Sequence, residues 1–167
     1  MVKSGSQWAE TMFLVGTYEL VIDAKNRLSV PFNIRRKLDE HSFYALPGGR
    51  PRTLALYPES YFEKLRPVPP VESLSDTTQA WRQFEYSQCA LLETDNQGRI
   101  LLPDRLLKRA GIEKEVTLIG VQDHLELWNR RDFEEFENSQ WEHLAENRAR
   151  ALQELRAFAP QPSGLQA

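Results

Sequence analysis

Apolar and polar positions along this chain are laid out in a pattern that occurs twice. Phe13 to Ile22 is rich in strand formers, and Tyr86 to Thr94 reads the same way. Each run leads into a short motif. Asp23-Ala24-Lys25-Asn26-Arg27-Leu28-Ser29-Val30-Pro31 returns as Asp95-Asn96-Gln97-Gly98-Arg99-Ile100-Leu101-Leu102-Pro103, with aspartate, arginine and proline each recurring 72 residues on. Helical spacing follows both prolines: Ile34 and Leu38 share a face in the first copy, Leu106 and Ala110 in the second. Proline suits a first helical turn, where no amide donor is needed, and Gly111 predicts the stop of the second helix.

The correspondence continues to the end of each copy. Leu54 to Leu65 parallels Leu125 to Phe136 at an offset of 71, so one residue differs in a loop. Both segments place an aromatic at a strand end (Tyr57, Trp128) and another five residues later (Phe62, Phe133). A repeat of this kind predicts one fold unit used twice, each half too small to bury a good core alone. The class expected is α+β, with an N-terminal extension at 1–11, a first repeat at 12–66, a linker and helix at 67–85, a second repeat at 86–137 and a C-terminal helix and tail at 138–167. Pro67, Pro69 and Pro70 break the chain between the halves. Asp76 to Gln88 then predicts a helix with Ala80, Trp81 and Phe84 on one side. Arg131 to Phe158 predicts helix anchored by Phe133, Phe136, Trp141, Leu144, Leu152 and Leu155, and Pro160 to Ala167 a disordered tail.

The turn itself carries chemistry. Gly98 readily adopts positive φ, and Asn26, in the equivalent place, is one of the few other residue types that tolerates it. Asp23, Asn26, Asp95 and Gly98 are therefore read as turn-forming residues that aim Arg27 and Arg99 in a fixed direction. A guanidinium can make two hydrogen bonds to a guanine edge, and it can equally brace the turn through the aspartate. Both readings stay open on the residues alone. Lys25 fits a phosphate contact and Gln97 a base or phosphate contact. Arg36-Lys37 recurs as Lys108-Arg109, a basic pair that tracks phosphates or simply faces solvent.

Charge sharpens this picture only locally. The 167 residues carry a formal charge of −3, which is no global nucleic-acid signature. The cations gather at 23–37 and 95–109, however, and the acids at Glu134, Glu135, Glu137, Glu142 and Glu146. The single cysteine, Cys89, excludes an intrachain disulfide and fits a reducing compartment. No run approaches the ~20 apolar residues of a membrane span. His41, His124 and His143 are scattered, so neither a metal site nor a cofactor is expected.

The double Asp-x-x-x-Arg motif, its Arg-x-x-x-Pro continuations and the Leu125-Glu126-Leu127-Trp128 close resemble the MraZ family of bacterial transcriptional regulators, over residues 12 to 140. The resemblance implies two AbrB-like halves pairing as a swapped-hairpin β-barrel within one chain. It also implies ring-shaped homo-oligomers that bind direct repeats in double-stranded DNA upstream of the division and cell-wall gene cluster, in the cytoplasm and on the nucleoid. Arg27 and Arg99 then become base-contact residues, with Lys25, Gln97, Arg36, Lys37, Lys108 and Arg109 around them. Two departures stand out. Asn26 replaces the usual glycine, and Gly48-Gly49-Arg50-Pro51-Arg52 makes a basic loop present only in the first half. With Lys25 facing Gln97 across the repeat, the first copy is expected to carry more of the DNA contact.

The runner-up is a protein-interaction module, antitoxin-like or inhibitory, that does not touch DNA. Its support is the acidic balance and the long C-terminal helix. Catalysis by Asp23 and Asp95 as a paired carboxylate is disfavoured: neither is followed by the Thr/Ser-Gly pair of aspartic proteases, and no nucleophile–base constellation appears.

Overall fold

A computed structural model describes residues 13–66 and 70–158. The expected extension at 1–11, Pro67, Pro69 and the tail at 160–167 lie outside the described residues. The chain divides into two units, one ending at Arg130 and one beginning at Arg131.

In the first unit each half runs strand, strand, helix, strand, strand. The first half contributes β1 (Thr17–Val21), β2 (Arg27–Ser29), α1 (Phe32–Arg35), β3 (Ser42–Pro47), β4 (Thr53–Pro58) and α2 (Glu59–Leu65). A helix, α3 (Asp76–Gln88), leads to the second half: β5 (Ala90–Glu93), β6 (Arg99–Leu101), α4 (Asp104–Ala110), β7 (Glu115–Gly120) and β8 (Leu125–Asn129). Pro31 and Pro103 sit one residue before their helices, as N-caps in extended backbone. Gly111 ends α4 at φ +68, the left-handed stop that its sequence position predicts.

Strand pairing exchanges partners between the halves. The six-stranded antiparallel sheet has the order β1-β7-β8-β4-β3-β5, and β2 pairs with β6 in a separate two-stranded ladder. Exchanging the two repeats maps that order onto its own reverse. Thus β1 of the first half pairs with β7 of the second, and β5 of the second with β3 of the first. The pseudo-two-fold passes between Leu28 and Ile100 in the small ladder and between Ala55 and Glu126 in the large sheet. No ladder joins β1 to β5 among the described residues, so hydrogen bonding does not close the large sheet into a barrel.

The core follows from the two-residue period of strands. Leu28 and Ile100 are 0% exposed, and around them Val30 and Leu102, Ile34 and Leu106, Leu54 and Leu125, and Leu56 and Leu127 enter as repeat-related pairs. The alternate positions of β4 face the other way. Ala55 joins Leu46 and Phe62 in a smaller cluster, with Tyr44, Tyr57 and Cys89 packed against it.

In helix α3 the side bearing Ala80, Trp81 and Phe84 is exposed, and the half-buried positions are Gln79, Arg82, Glu85 and Gln88. The ion pair of Glu85 with Arg66 at 2.8 Å, and the Arg66 guanidinium over the Phe62 ring at 4.5 Å, explain why a polar side faces inward.

The second unit is helical, but it is not one helix. α5 (Arg130–Glu142) and α6 (Leu144–Phe158) are separated at His143. Phe133 is buried and stands 6.0 Å from Phe136, whereas Trp141, Leu144, Leu152 and Leu155 are exposed rather than acting as anchors.

Candidate nucleic-acid interface

The β2–β6 ladder turns one face inward and one outward. Leu28 and Ile100 point into the core, so Arg27, Ser29, Arg99 and Leu101 share the opposite, exposed side. Arg27 pairs with Leu101 and Ser29 with Arg99. This places the two arginines on a diagonal, where Cβ atoms stand roughly 7–8 Å apart or a little less. Their side chains are 31% and 25% exposed.

Each arginine is set by its own turn, and the two turns match bond for bond. The Asp23 amide donates to the Arg27 carbonyl at 3.0 Å and the Asp95 amide to the Arg99 carbonyl at 2.8 Å. One carboxylate oxygen of Asp23 accepts from the amides of Lys25 and Arg27, both at 2.9 Å, while the other accepts from Arg27 Nε at 2.7 Å. Asp95 does the same with the amides of Gln97 and Arg99, at 2.9 and 3.0 Å, and with Arg99 Nε at 2.9 Å. In both turns the backbone hydrogen bond from the arginine is the largest influence holding the aspartate below the ordinary carboxylate pKa. Asn26 and Gly98 are left-handed, at φ +59 and +76. The carboxylate takes the Nε side of the guanidinium, so bracing and outward presentation are two uses of one side chain. Arg99 Nη2 also approaches Asp95, at 2.9 Å.

Each turn is buttressed by the opposite half. Leu102 donates to the Asn26 carbonyl at 2.8 Å and Val30 to the Gly98 carbonyl at 2.9 Å. Side chains then break the symmetry. A Cβ on Gly98 would lie 2.6 Å from the Arg35 guanidinium carbon, and Arg35 Nε donates to the Val30 carbonyl at 3.0 Å. Around the first turn the second half supplies Lys114, whose Nζ donates to Asn26 Oδ1 at 2.9 Å. Sequence reasoning counted Arg35 among the local cations but gave it no role, and it missed Lys114. The one signal was the Asn26–Gly98 difference: glycine leaves room for an arginine, and asparagine supplies an acceptor for a lysine.

The remaining site residues are placed less compactly. Lys25 and Gln97 are exposed at the third position of each turn, while Arg36 and Lys37 follow α1 on exposed positions. Lys108 and Arg109 lie on the exposed side of α4, with Lys108 paired to Asp104 at 2.7 Å. They face a groove of about 830 Å³ whose other wall is the Gly48–Arg52 loop. The basic loop of the first half thus meets the basic helix of the second.

One histidine is less scattered than its sequence position suggests. His124 Nδ1 is 2.6 Å from Asp123, Nε2 is 3.2 Å from Glu126, and the ring stacks on Tyr57 at 4.7 Å. Burial opposes the charged ring, but its hydrogen bonds to Glu126 and Asp123 outweigh it and raise its pKa above 6.5. Trp128 donates to Glu126 at 2.9 Å and is buried, which makes it a packing residue rather than a base-stacking platform.

Known proteins are similar to this chain in sequence. A family model described as "MraZ protein, putative antitoxin-like" matches residues 86–155. The transcriptional regulator MraZ of Clostridium tetani is 33% identical over 138 residues, covering 79% of this chain and 94% of that protein. The transcriptional regulator MraZ of Thermomicrobium roseum is 35% identical over 119 residues, covering 71% and 82%. At that identity and coverage, the chain belongs to the MraZ family.

Proposed function

We propose that this protein is a sequence-specific transcription regulator and that the β2–β6 ladder is its DNA-reading element. The observation that carries the reading is the pair of aspartate-braced arginines on one exposed face of a two-stranded ribbon. The major groove of DNA admits such a ribbon, and an arginine can make two hydrogen bonds to guanine O6 and N7. Phosphate and edge contacts are assigned to Lys25, Gln97, Arg36, Lys37, Lys108 and Arg109. The names of the relatives support transcriptional control. The exchange of β1 and β5 between halves supports the swapped-hairpin, barrel-like unit of the AbrB type.

A ribbon three residue pairs long grips little DNA by itself. We propose that copies assemble into a ring on direct repeats upstream of the division and cell-wall genes, gaining affinity through effective concentration. The protein then works on the nucleoid, in the cytoplasm, without catalysis or cofactor. Footprinting on DNA upstream of its own gene, combined with a salt titration, tests this reading. Protected direct repeats and an affinity that falls steeply with salt are expected, since each neutralised phosphate contributes roughly 0.9 to the logarithmic slope.

The exposed Trp81 and Phe84 rings on α3, 5.6 Å apart, favour a second reading as a protein-interaction module. Absence of DNA binding even at low salt would move the assignment there.

A further inference from the structure

The pseudo-two-fold relates two hairpin ends that have been finished differently. At the β7–β8 end, Gly120 donates to the Gly16 carbonyl at 2.9 Å, and Leu14 exchanges two 2.8 Å hydrogen bonds with Gln122. The backbone at residues 14–15 comes so close that a Cβ on Gly120 would lie 2.4 Å from the Val15 nitrogen. The chain before β1 therefore covers that end.

At the β3–β4 end no described residues form the same cover. Pro47, the last residue of β3, stands where β7 has Gly120, and proline has no amide to donate to a covering strand. Residues 86–88, the counterparts of 14–16, belong to α3 instead. The groove of about 830 Å³ occupies the uncovered place, a volume in the range of small-ligand sites.

Its charge is equally one-sided. Counting back from Leu54 and Leu125, Arg52 corresponds to Asp123, a cation against an acid. Arg105 corresponds to Asn33. Arg105 and Arg109 have no acidic partner among the described residues, and Arg52 is held toward the groove wall by Glu113 at 3.3 Å. A Cβ on Gly49 would meet nothing within 4 Å, so backbone is open there. At the α3 side stand the Phe84 ring, 50% exposed, and Gln88.

We infer that this groove is a nucleotide site. Arg52, Arg105, Lys108 and Arg109 take the phosphates, and Phe84 stacks on the base with Gln88 beside it. The arrangement gives the protein a small phosphorylated ligand in addition to DNA. It does not rest on the reading of the β2–β6 face.

Titration calorimetry on the full chain tests it, with ADP, adenosine, pyrophosphate and a direct-repeat duplex as probes. ADP is expected to bind once per chain, and adenosine at least tenfold more weakly. The double variant Arg105→Ala/Arg109→Ala, whose substitutions are on exposed positions, is expected to lose ADP binding at least tenfold while keeping its thermal unfolding midpoint. Arg105→Lys/Arg109→Lys restores most of it. Phe84→Ala weakens ADP severalfold and leaves pyrophosphate unaltered. No ADP binding at millimolar concentration overturns the inference, as does full ADP binding by the alanine double variant. A double variant that weakens only the duplex overturns it too, and assigns the groove to the DNA backbone.

Discussion

The two turns and the two hairpin ends of this molecule had the same opportunity to diverge; the turns keep one backbone and one carboxylate brace, and the ends do not. Asp23 and Asp95 accept the same set of hydrogen bonds within a few tenths of an ångström. Pro47 and Gly120, by contrast, send the adjoining chain in different directions, and Arg52 and Asp123 carry opposite charges. A turn whose conformation is fixed by its own carboxylate has little room to change. A hairpin end held only by what covers it can be rebuilt once that cover changes.

The largest test of the shared part lies on the pseudo-axis. Leu28→Ala and Ile100→Ala each remove a fully buried side chain and are expected to cost about 2–5 kcal/mol in chemical denaturation. The two costs should agree to within roughly the ordinary scatter of such truncations, and a difference of several-fold would break the equivalence. Next come the arginines. Arg27→Ala and Arg99→Ala should each weaken binding to repeat-bearing DNA by about 1–3 kcal/mol and flatten base preference. Because Lys25 stands beside Arg27 where the second copy has the neutral Gln97, the Arg27 change should be the larger in an intact oligomer. The reverse order in a binding assay would show that the second copy carries more of the contact.

Gly98→Ala places a Cβ against the Arg35 guanidinium at positive φ and is expected to cost about 1–3 kcal/mol. Asn26→Gly keeps the allowed conformation and loses mainly the Lys114 contact, so its cost should stay within about 1 kcal/mol. The smallest effects are in pH. Asp23 and Asp95 have lowered pKa values in the folded chain, so their contribution is present above 3.8 and is lost as pH falls through those lowered values. His124 has a raised pKa, so its contribution is full below 6.5 and fades as pH climbs through the raised value. Asp123→Asn should shift the His124 titration downward in an NMR experiment while leaving both turns unmoved.

Much of the fold was legible because the repeat wrote it twice. The strand-turn-strand order, the proline before each helix and the Gly111 stop all follow from residue type and spacing. The need for positive φ at Asn26 and Gly98 was readable for the same reason. Pairing across the halves was not, since no local pattern tells β1 to choose β7 over a neighbour. The α3 side bearing Trp81 and Phe84 was legible from helical spacing, but which side faces inward was not, because Arg66, the partner of Glu85, lies beyond the three-proline break. The basic loop at Arg50 and Arg52 read as a feature of the first half alone; its meeting with α4 depends on a tertiary approach that no spacing encodes.

The exchange of strands between halves also sets a schedule for making the protein. Thr17 pairs with Ile119, and the strand holding Thr17 has no partner in the large sheet until β7 has been synthesised. At a translation rate of about 5–20 residues per second, the first strand waits about 5–20 seconds for its neighbour. During that interval Tyr18 and Leu20, half-buried in the finished fold, have no β7 to pack against. Slowed translation between the two repeats would lengthen that interval.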